Sequence, residues 1–178
     1  EINHYRSLAY DLELIGQNPL RYLGYGYGNI SQRIENNQFL ISGTQTGEKT
    51  HLSSEDYCLV TKVNLAKNSL HAIGQCKPSS EALTHASVYA QNPAIHCVIH
   101  AHTAIIWHAT NALKIPHTAQ DIPYGTPEMA KAVADLVAEK SSGLFTMLGH
   151  EDGVIAYGED FSTTLALLTN ALNDAKQI

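Results

Sequence analysis

FTMLGHEDGVIAY, residues 145–157, is the stretch that decides how this chain folds. Phe145 to Leu148 and Val154 to Tyr157 are short β-rich runs, and the five residues between them, Gly149 to Gly153, are turn formers, so the stretch reads as a hairpin. Working upstream, Ile30 to Ile34 and Gln38 to Ile41 form a second hairpin across Asn36 and Asn37, and Tyr57 to Val63 turns through Leu65–Ser69 into Leu70 to Ile73. Ile95 to Ala101 is a further β-rich run. Helical patterns lie between these runs: Ser79 to Ala90, capped by Ser79 or Ser80 behind Pro78; Ala104 to Asn111; the amphipathic Pro127 to Lys140; and Phe161 to Asp174. A weaker apolar pattern (Tyr5, Leu8, Ala9, Leu12, Leu14) closes at Asn18-Pro19. Consecutive hairpins build antiparallel pairs, so the expectation is an α/β sheet covered by helices and not a pure parallel βαβ fold.

The 178 residues fit one domain, read as spanning 1–178, and 44% hydrophobic residues with 16% charged exclude a disordered or fibrous chain. Net charge is −6 with no basic run, which argues against nucleic acid and anionic membrane as partners. No stretch reaches the roughly 18–20 apolar residues of a membrane helix. Cys58, Cys76 and Cys97 are odd in number and form no CxxC pair, as expected of buried thiols in a reduced, cytoplasmic protein. Glu1-Ile2-Asn3-His4 has neither a basic region nor an initiating Met, so the native N-terminus is expected upstream. Histidine is in surplus: ten, against 11 Lys and Arg together.

Val98-Ile99-His100-Ala101-His102 is the sharpest local feature. Side chains at i and i+2 of a strand share a face, so His100 and His102 can bind one Zn²⁺-like ion; alternatively one imidazole is a buried hydrogen-bonder and the other faces solvent. His150, in a turn with no core to fill, is the candidate third ligand or a turn histidine without a role. His96 can join the site from the strand's entrance, while His108 is expected to pack; His4, His51, His71 and His117 carry no signal. Glu81, just after Ser79 and Ser80, either stabilises a helix dipole or moves a proton at a substrate. His85, one turn later, is a partner of that site or a packed histidine. Gly28-Asn29, the SGTQTG loop at 42–47 and Ser79-Ser80 together suggest a pocket for a phosphate or carboxylate.

GNIS (28–31), SGTQTG (42–47), KPSSE (77–81) with His85 and Tyr89, VIHAH (98–102) and LGHEDGVIAYG (148–158), in this order over residues 20–172, resemble the class II aldolase/adducin family. The resemblance implies a three-layer α/β/α domain with a largely antiparallel central sheet. It implies enzymes such as L-fuculose-phosphate and L-rhamnulose-phosphate aldolases, ribulose-phosphate 4-epimerase and methylthioribulose-phosphate dehydratase. These use Zn²⁺ or another divalent metal such as Mn²⁺, Co²⁺ or Fe²⁺, and are tetramers with sites at subunit boundaries. His100, His102 and His150 match the metal ligands, and Glu81 the acid/base carboxylate. Gly28, Asn29, Ser79 and Ser80 match phosphate-binding positions, with Ser42-Gly43 or Thr46-Gly47 as the loop between them. Where the aldolases carry a catalytic Tyr and the epimerases an Asp, this chain has residues 117–124; Asp121 is epimerase-like, and Tyr124 falls late for the aldolase Tyr. The sugar-phosphate enzymes also continue past the last helix into a functional tail, which is not found here, and GTQTGEKTH replaces a proline-bearing phosphate loop.

The implied function is a metal-dependent aldehyde-lyase that cleaves a small, phosphorylated sugar or related hydroxy-carbonyl compound by a retro-aldol step. Alternatives are a sugar-phosphate 4-epimerase or dehydratase, and a non-enzymatic adducin-like binding domain; retention of the three histidines and Glu81 argues against the last. A homo-oligomer, a tetramer, is expected, with Tyr22, Tyr25 and Tyr27 available to an interface.

Overall fold

The computed structural model describes residues 1–178. After helix α1 (Ile2–Asp11), two short strands, β1 (Gly16–Gln17) and β2 (Gly26–Tyr27), pair as a small ribbon. The main sheet contains β3 (Asn29–Glu35), β4 (Gln38–Ser42), β5 (Tyr57–Asn64), β6 (Ser69–Gly74), β7 (Cys97–His102), β8 (His117–Thr118), β9 (Gly143–Met147) and β10 (Gly153–Gly158). Their order is β6-β5-β4-β3-β7-β10-β9-β8, and every neighbouring pair is antiparallel except β8 with β9. Helices α2 (Ala82–Tyr89), α3 (Ala104–His108), α4 (Pro127–Val137) and α5 (Phe161–Ala175) complete the chain.

Strand β7 organises the layers. It runs between β3 and β10, and all six of its residues are buried. Cys97, Ile99 and Ala101 enter one core with Ala9 of α1, Ile106 of α3 and Leu165 and Leu168 of α5. Val98 enters the other with Ala86 and Val88 of α2 and Val133 and Val137 of α4. The two-residue period puts His100 and His102 in phase with Val98, on the α2/α4 side. The result is a three-layer α/β/α fold with a largely antiparallel sheet, built from the hairpins read in the sequence. No helix is long and apolar enough to cross a membrane.

Three details differ from expectation. Helix α1 stops at Asp11 because Glu13 turns into the left-handed region (φ 57°) and the chain then runs under the sheet, where the Leu14 carbonyl accepts from His102 N–H at 2.9 Å. Helix α2 begins at Ala82, with Glu81 as its N-cap residue and no side-chain cap. Pro78 disfavours helix before it, and residues 77–79 instead bond the loop after β4: Thr44 N–H donates to Lys77 O (2.9 Å) and Ser79 N–H to Ser42 O (3.3 Å). Helix α3 ends at His108, which is exposed and meets Trp107 edge-on instead of packing inside.

Candidate metal centre and its cavity

The sheet register brings three histidines together from two places in the chain. Gly153 pairs with His102 across β10 and β7, so the turn leading into β10 folds back over the end of β7. Two consecutive turns, His150 N–H to Met147 O and Gly153 N–H to His150 O, both 3.0 Å, aim the His150 ring inward. Gly149 makes this possible: a Cβ there would sit 1.8 Å from the Ile122 carbonyl oxygen.

Ligand atoms of His100, His102 and His150 all lie within 4.8 Å of one another, and the Nε2 atoms of His102 and His150 are 3.1 Å apart. Two nitrogens bound tetrahedrally to one ion at roughly 2.0–2.1 Å would be about 3.3 Å apart, so the spacing fits a shared cation. His100 Nε2 is buried with no hydrogen-bond partner. Burial, reinforced by the neighbouring imidazoles, holds the proton affinity of His100 well below the usual range and brings His102 down to about 3. Burial takes His150 to about 4, with Asp152 opposing. At neutral pH the three rings are therefore uncharged, which is what a cation requires of its ligands. The donor set fits a divalent ion of the Zn²⁺ type.

Behind His100 lies a second layer. Its Nδ1 is 3.1 Å from Asn29 Nδ2, and Asn29 Oδ1 is 2.5 Å from His85 Nε2. His85 is fully buried, its Nδ1 2.6 Å from Ser31 Oγ, which is itself 2.8 Å from the Tyr89 hydroxyl. Tyr22 packs its ring edge-on against His102 (4.8 Å) and donates to Asp152 Oδ2 at 2.5 Å, while Arg21 stacks over the Tyr22 ring.

Glu81 lines the same cavity, 3% exposed. Its Oε2 accepts from the Thr84 hydroxyl at 2.8 Å; its Oε1 is buried and has no partner. Burial raises its pKa above the usual carboxylate range, and the Thr84 bond only partly opposes this. Its side chain accepts no amide of the α2 N-terminus, so desolvation, and not the helix dipole, decides the direction.

The cavity holds about 510 Å³. Gly28, Asn29, Gly43, Ser79, Ser80, Glu81 and the three histidines all line it, together with residues 44–47. Ser42 does not: it is buried at the end of β4, between β3 and β5, and its Oγ accepts from Ile30 N–H at 3.1 Å. Asp121 is exposed and outside the cavity, whereas Tyr124 lines it with its ring 4.3 Å from that of His150. His96 is exposed, and its carbonyl serves the sheet by accepting from Arg33 N–H. Tyr22, Tyr25 and Tyr27, available to an interface on the sequence reading, all line the cavity, Tyr25 at its exposed rim. The alternation of Tyr25 and Tyr27 with glycine in GYGYG (24–28) is the available signal; Tyr22 and Leu23 lie in the left-handed region (φ 50° and 57°), which no pattern foretells.

Residues 20–177 match the model of the class II aldolase and adducin N-terminal domain. The chain is 28% identical over 152 residues to 3-oxo-tetronate 4-phosphate decarboxylase of Haemophilus influenzae, covering 76% of this chain and 68% of that protein. It is 33% identical over 108 residues to methylthioribulose-1-phosphate dehydratase of Pectobacterium atrosepticum, covering 60% of this chain and 47%, about half, of that protein. L-fuculose-1-phosphate aldolase from Thermus thermophilus has the same fold, with a TM-score of 0.70 at 20% identity over 98% of this chain and 89% of that one.

Proposed function

We propose, since this chain belongs to the class II aldolase and adducin family, that it is a divalent-metal-dependent lyase that breaks a C–C bond in a small phosphorylated hydroxy-ketone by a retro-aldol step. The observation that carries the reading is the convergence of three uncharged imidazoles and a partnerless Glu81 oxygen on one cavity. A divalent ion held by His100, His102 and His150 would act as a Lewis acid, drawing charge from the substrate carbonyl and stabilising an enediolate. Glu81 moves the proton at the enediolate carbon: Thr84 holds Oε2, leaving Oε1 for the transfer. The phosphate rests against the hydroxyls of Ser79 and Ser80 and the loop 43–47, with Gly28 and Asn29 on the same side. Ser42 supports that loop from below through its bond to Ile30. Tyr124, beside His150, is better positioned than Asp121 to relay the substrate's hydroxyl proton, passing its own phenolic proton to solvent at its exposed edge as the C–C bond breaks.

The relatives named as a decarboxylase and a dehydratase favour a second reading, in which the same enediolate arises by loss of CO₂ or leads to loss of water. The experiment is to load the purified protein with Zn²⁺, Mn²⁺, Co²⁺ or Fe²⁺ and incubate it with ketose phosphates and keto-acid phosphates. Aldehyde release supports the aldolase reading; CO₂ release or a dehydrated product replaces it with the second. Absence of turnover together with absence of a bound ion leaves an adducin-like binding domain. Assembly as a homotetramer is part of the proposal, with the exposed Leu20, and with Leu23 and Tyr25 at the cavity rim, as contact residues; a monomeric mass by light scattering would remove that part. The free thiols Cys58, Cys76 and Cys97 suit a reducing, cytoplasmic setting.

A further inference from the structure

We propose that Asn29 is a positioning residue: it holds the His100 ring and couples which of its nitrogens carries the proton to the tautomer of His85, acting as one link of a buried hydrogen-bond chain that runs through His85 and Ser31 to Tyr89. The inference rests on His100 being a cation ligand, and assigns roles to residues that lie behind it.

All five residues are at most 5% exposed, so water does not substitute for any link. A neutral imidazole carries one N–H and one lone pair. If His100 Nε2 is to offer its lone pair to a cation, the ring proton must sit on Nδ1, and the group facing Nδ1 is the Asn29 amide. That amide must then present its oxygen to His100 and its NH₂ to His85 Nε2. His85 in turn must carry its proton on Nδ1 and donate to Ser31 Oγ, whose own proton is free to go to the Tyr89 oxygen. The opposite order is equally well connected. Tyr89 donates to Ser31, Ser31 to His85 Nδ1, His85 Nε2–H to Asn29 Oδ1, and Asn29 NH₂ to His100 Nδ1, which leaves N–H on His100 Nε2, aimed at the site. Asn29 Oδ1 faces His85 and Nδ2 faces His100 in the structure, which is this second order. The two orders differ by a half-turn of the amide and the reversal of each hydrogen bond, with every heavy atom near its place. Cation binding selects the first order, so the chain is a device that couples the tautomer of His85 to occupancy of the site.

The test measures Zn²⁺ affinity by competition with a chromogenic chelator for wild type, Asn29→Ala and Asn29→Asp, with ¹⁵N-histidine spectra of the Zn²⁺-loaded wild type. Asn29→Ala should weaken Zn²⁺ binding about 10–100-fold, because the His100 ring loses its orienting partner. Asn29→Asp, whose carboxylate accepts from His100 Nδ1–H, should recover most of that loss. His85 in the loaded wild type should be protonated on Nδ1. Wild-type affinity in Asn29→Ala, no recovery in Asn29→Asp, or His85 protonated on Nε2 would each overturn the proposal. The spectrum needs no variant, so it stands even if Asn29→Ala fails to fold. A wild type that binds no Zn²⁺ would instead defeat the metal reading itself, a distinct outcome.

Discussion

Gly47→Ala should injure substrate binding while leaving the histidine centre intact. A Cβ at position 47 would lie 2.1 Å from the Gly16 carbonyl oxygen, 2.7 Å from its carbon and 3.0 Å from Gly26 Cα. All three are backbone atoms, so nothing flexible can yield, and the loop must retreat from the β1/β2 ribbon by about an ångström to reach ordinary contact. Retreat is opposed from beneath. The guanidinium of buried Arg6 donates to the carbonyls of Thr46 (3.0 Å), Thr50 (2.9 Å) and Lys49, and Gly26 N–H donates to the Gln45 side chain at 3.1 Å. Overpacking against such a support costs about 1–3 kcal/mol, and for a chain of this size each kcal/mol lowers Tm by roughly 2–4 °C. The loop lines the cavity, so a displacement near 1 Å should lower kcat/KM by about 10²-fold, chiefly through KM for a phosphorylated substrate. Steady-state kinetics, bound-metal analysis and a thermal melt on the same preparation check this. Gly125→Ala is the control. Its φ of 72° charges roughly 1 kcal/mol for a side chain, but nothing lies within 4 Å, so KM should not move. If Gly47→Ala keeps wild-type KM and Tm, the loop neither packs as described nor touches the substrate.

His102→Ala should abolish stoichiometric metal, since two remaining imidazoles are too few; full occupancy by elemental analysis would mean the ligand set is wrong. Glu81→Gln should cut turnover roughly 10²–10⁴-fold with metal content and Tm near wild type, and loss of the metal would instead make Glu81 structural. Tyr124→Phe should lower kcat at least about tenfold and Asp121→Asn leave it within about twofold; the reverse pattern would return the second proton carrier to Asp121. Chelator-treated protein should lose stability as pH falls from 7 to 5. With His102 near 3 and His150 near 4 in the fold, the unfolded chain, at its ordinary value near 6.5, takes up protons first, for about 2 kcal/mol per histidine at pH 5. A Tm flat across that range would contradict the buried, neutral rings.

What can be read in advance follows from what repeats or turns. The period of two at Val98–His102 puts His100 and His102 on one strand face and the turn formers at 149–153 put His150 in a turn, because strand alternation and turn chemistry are local; only the family resemblance joins the three as one ligand set. Glu81 is legible as a residue but not as an N-cap, since the bonds that keep residues 77–79 extended come from Thr44 and Ser42, more than 30 positions away. Sequence favours Asp121 over Tyr124 because the place of Tyr124 beside His150 depends on Ile122 packing against Gly149, a contact with no periodic signature. Asn29, judged by its neighbours in GNIS, points to phosphate. That both ends of its amide are already taken by imidazoles 56 and 71 positions on follows from the sheet register, for His100, and from the seating of α2 on the sheet, for His85.

That register also bears on how the chain finds its fold. His102 and His150 are 48 residues apart, and His100 is set in place by pairing with Asn29 on one side and Ile155 on the other. No local segment holds enough ligands to capture an ion, so the central strands must be zipped in the correct frame first; a slip of one position would turn both β7 histidines into the opposite layer. A metal bound there would therefore arrive late, as a lock on a finished frame and not as a seed for it. Added Zn²⁺ would slow unfolding and leave the rate of refolding from denaturant almost untouched.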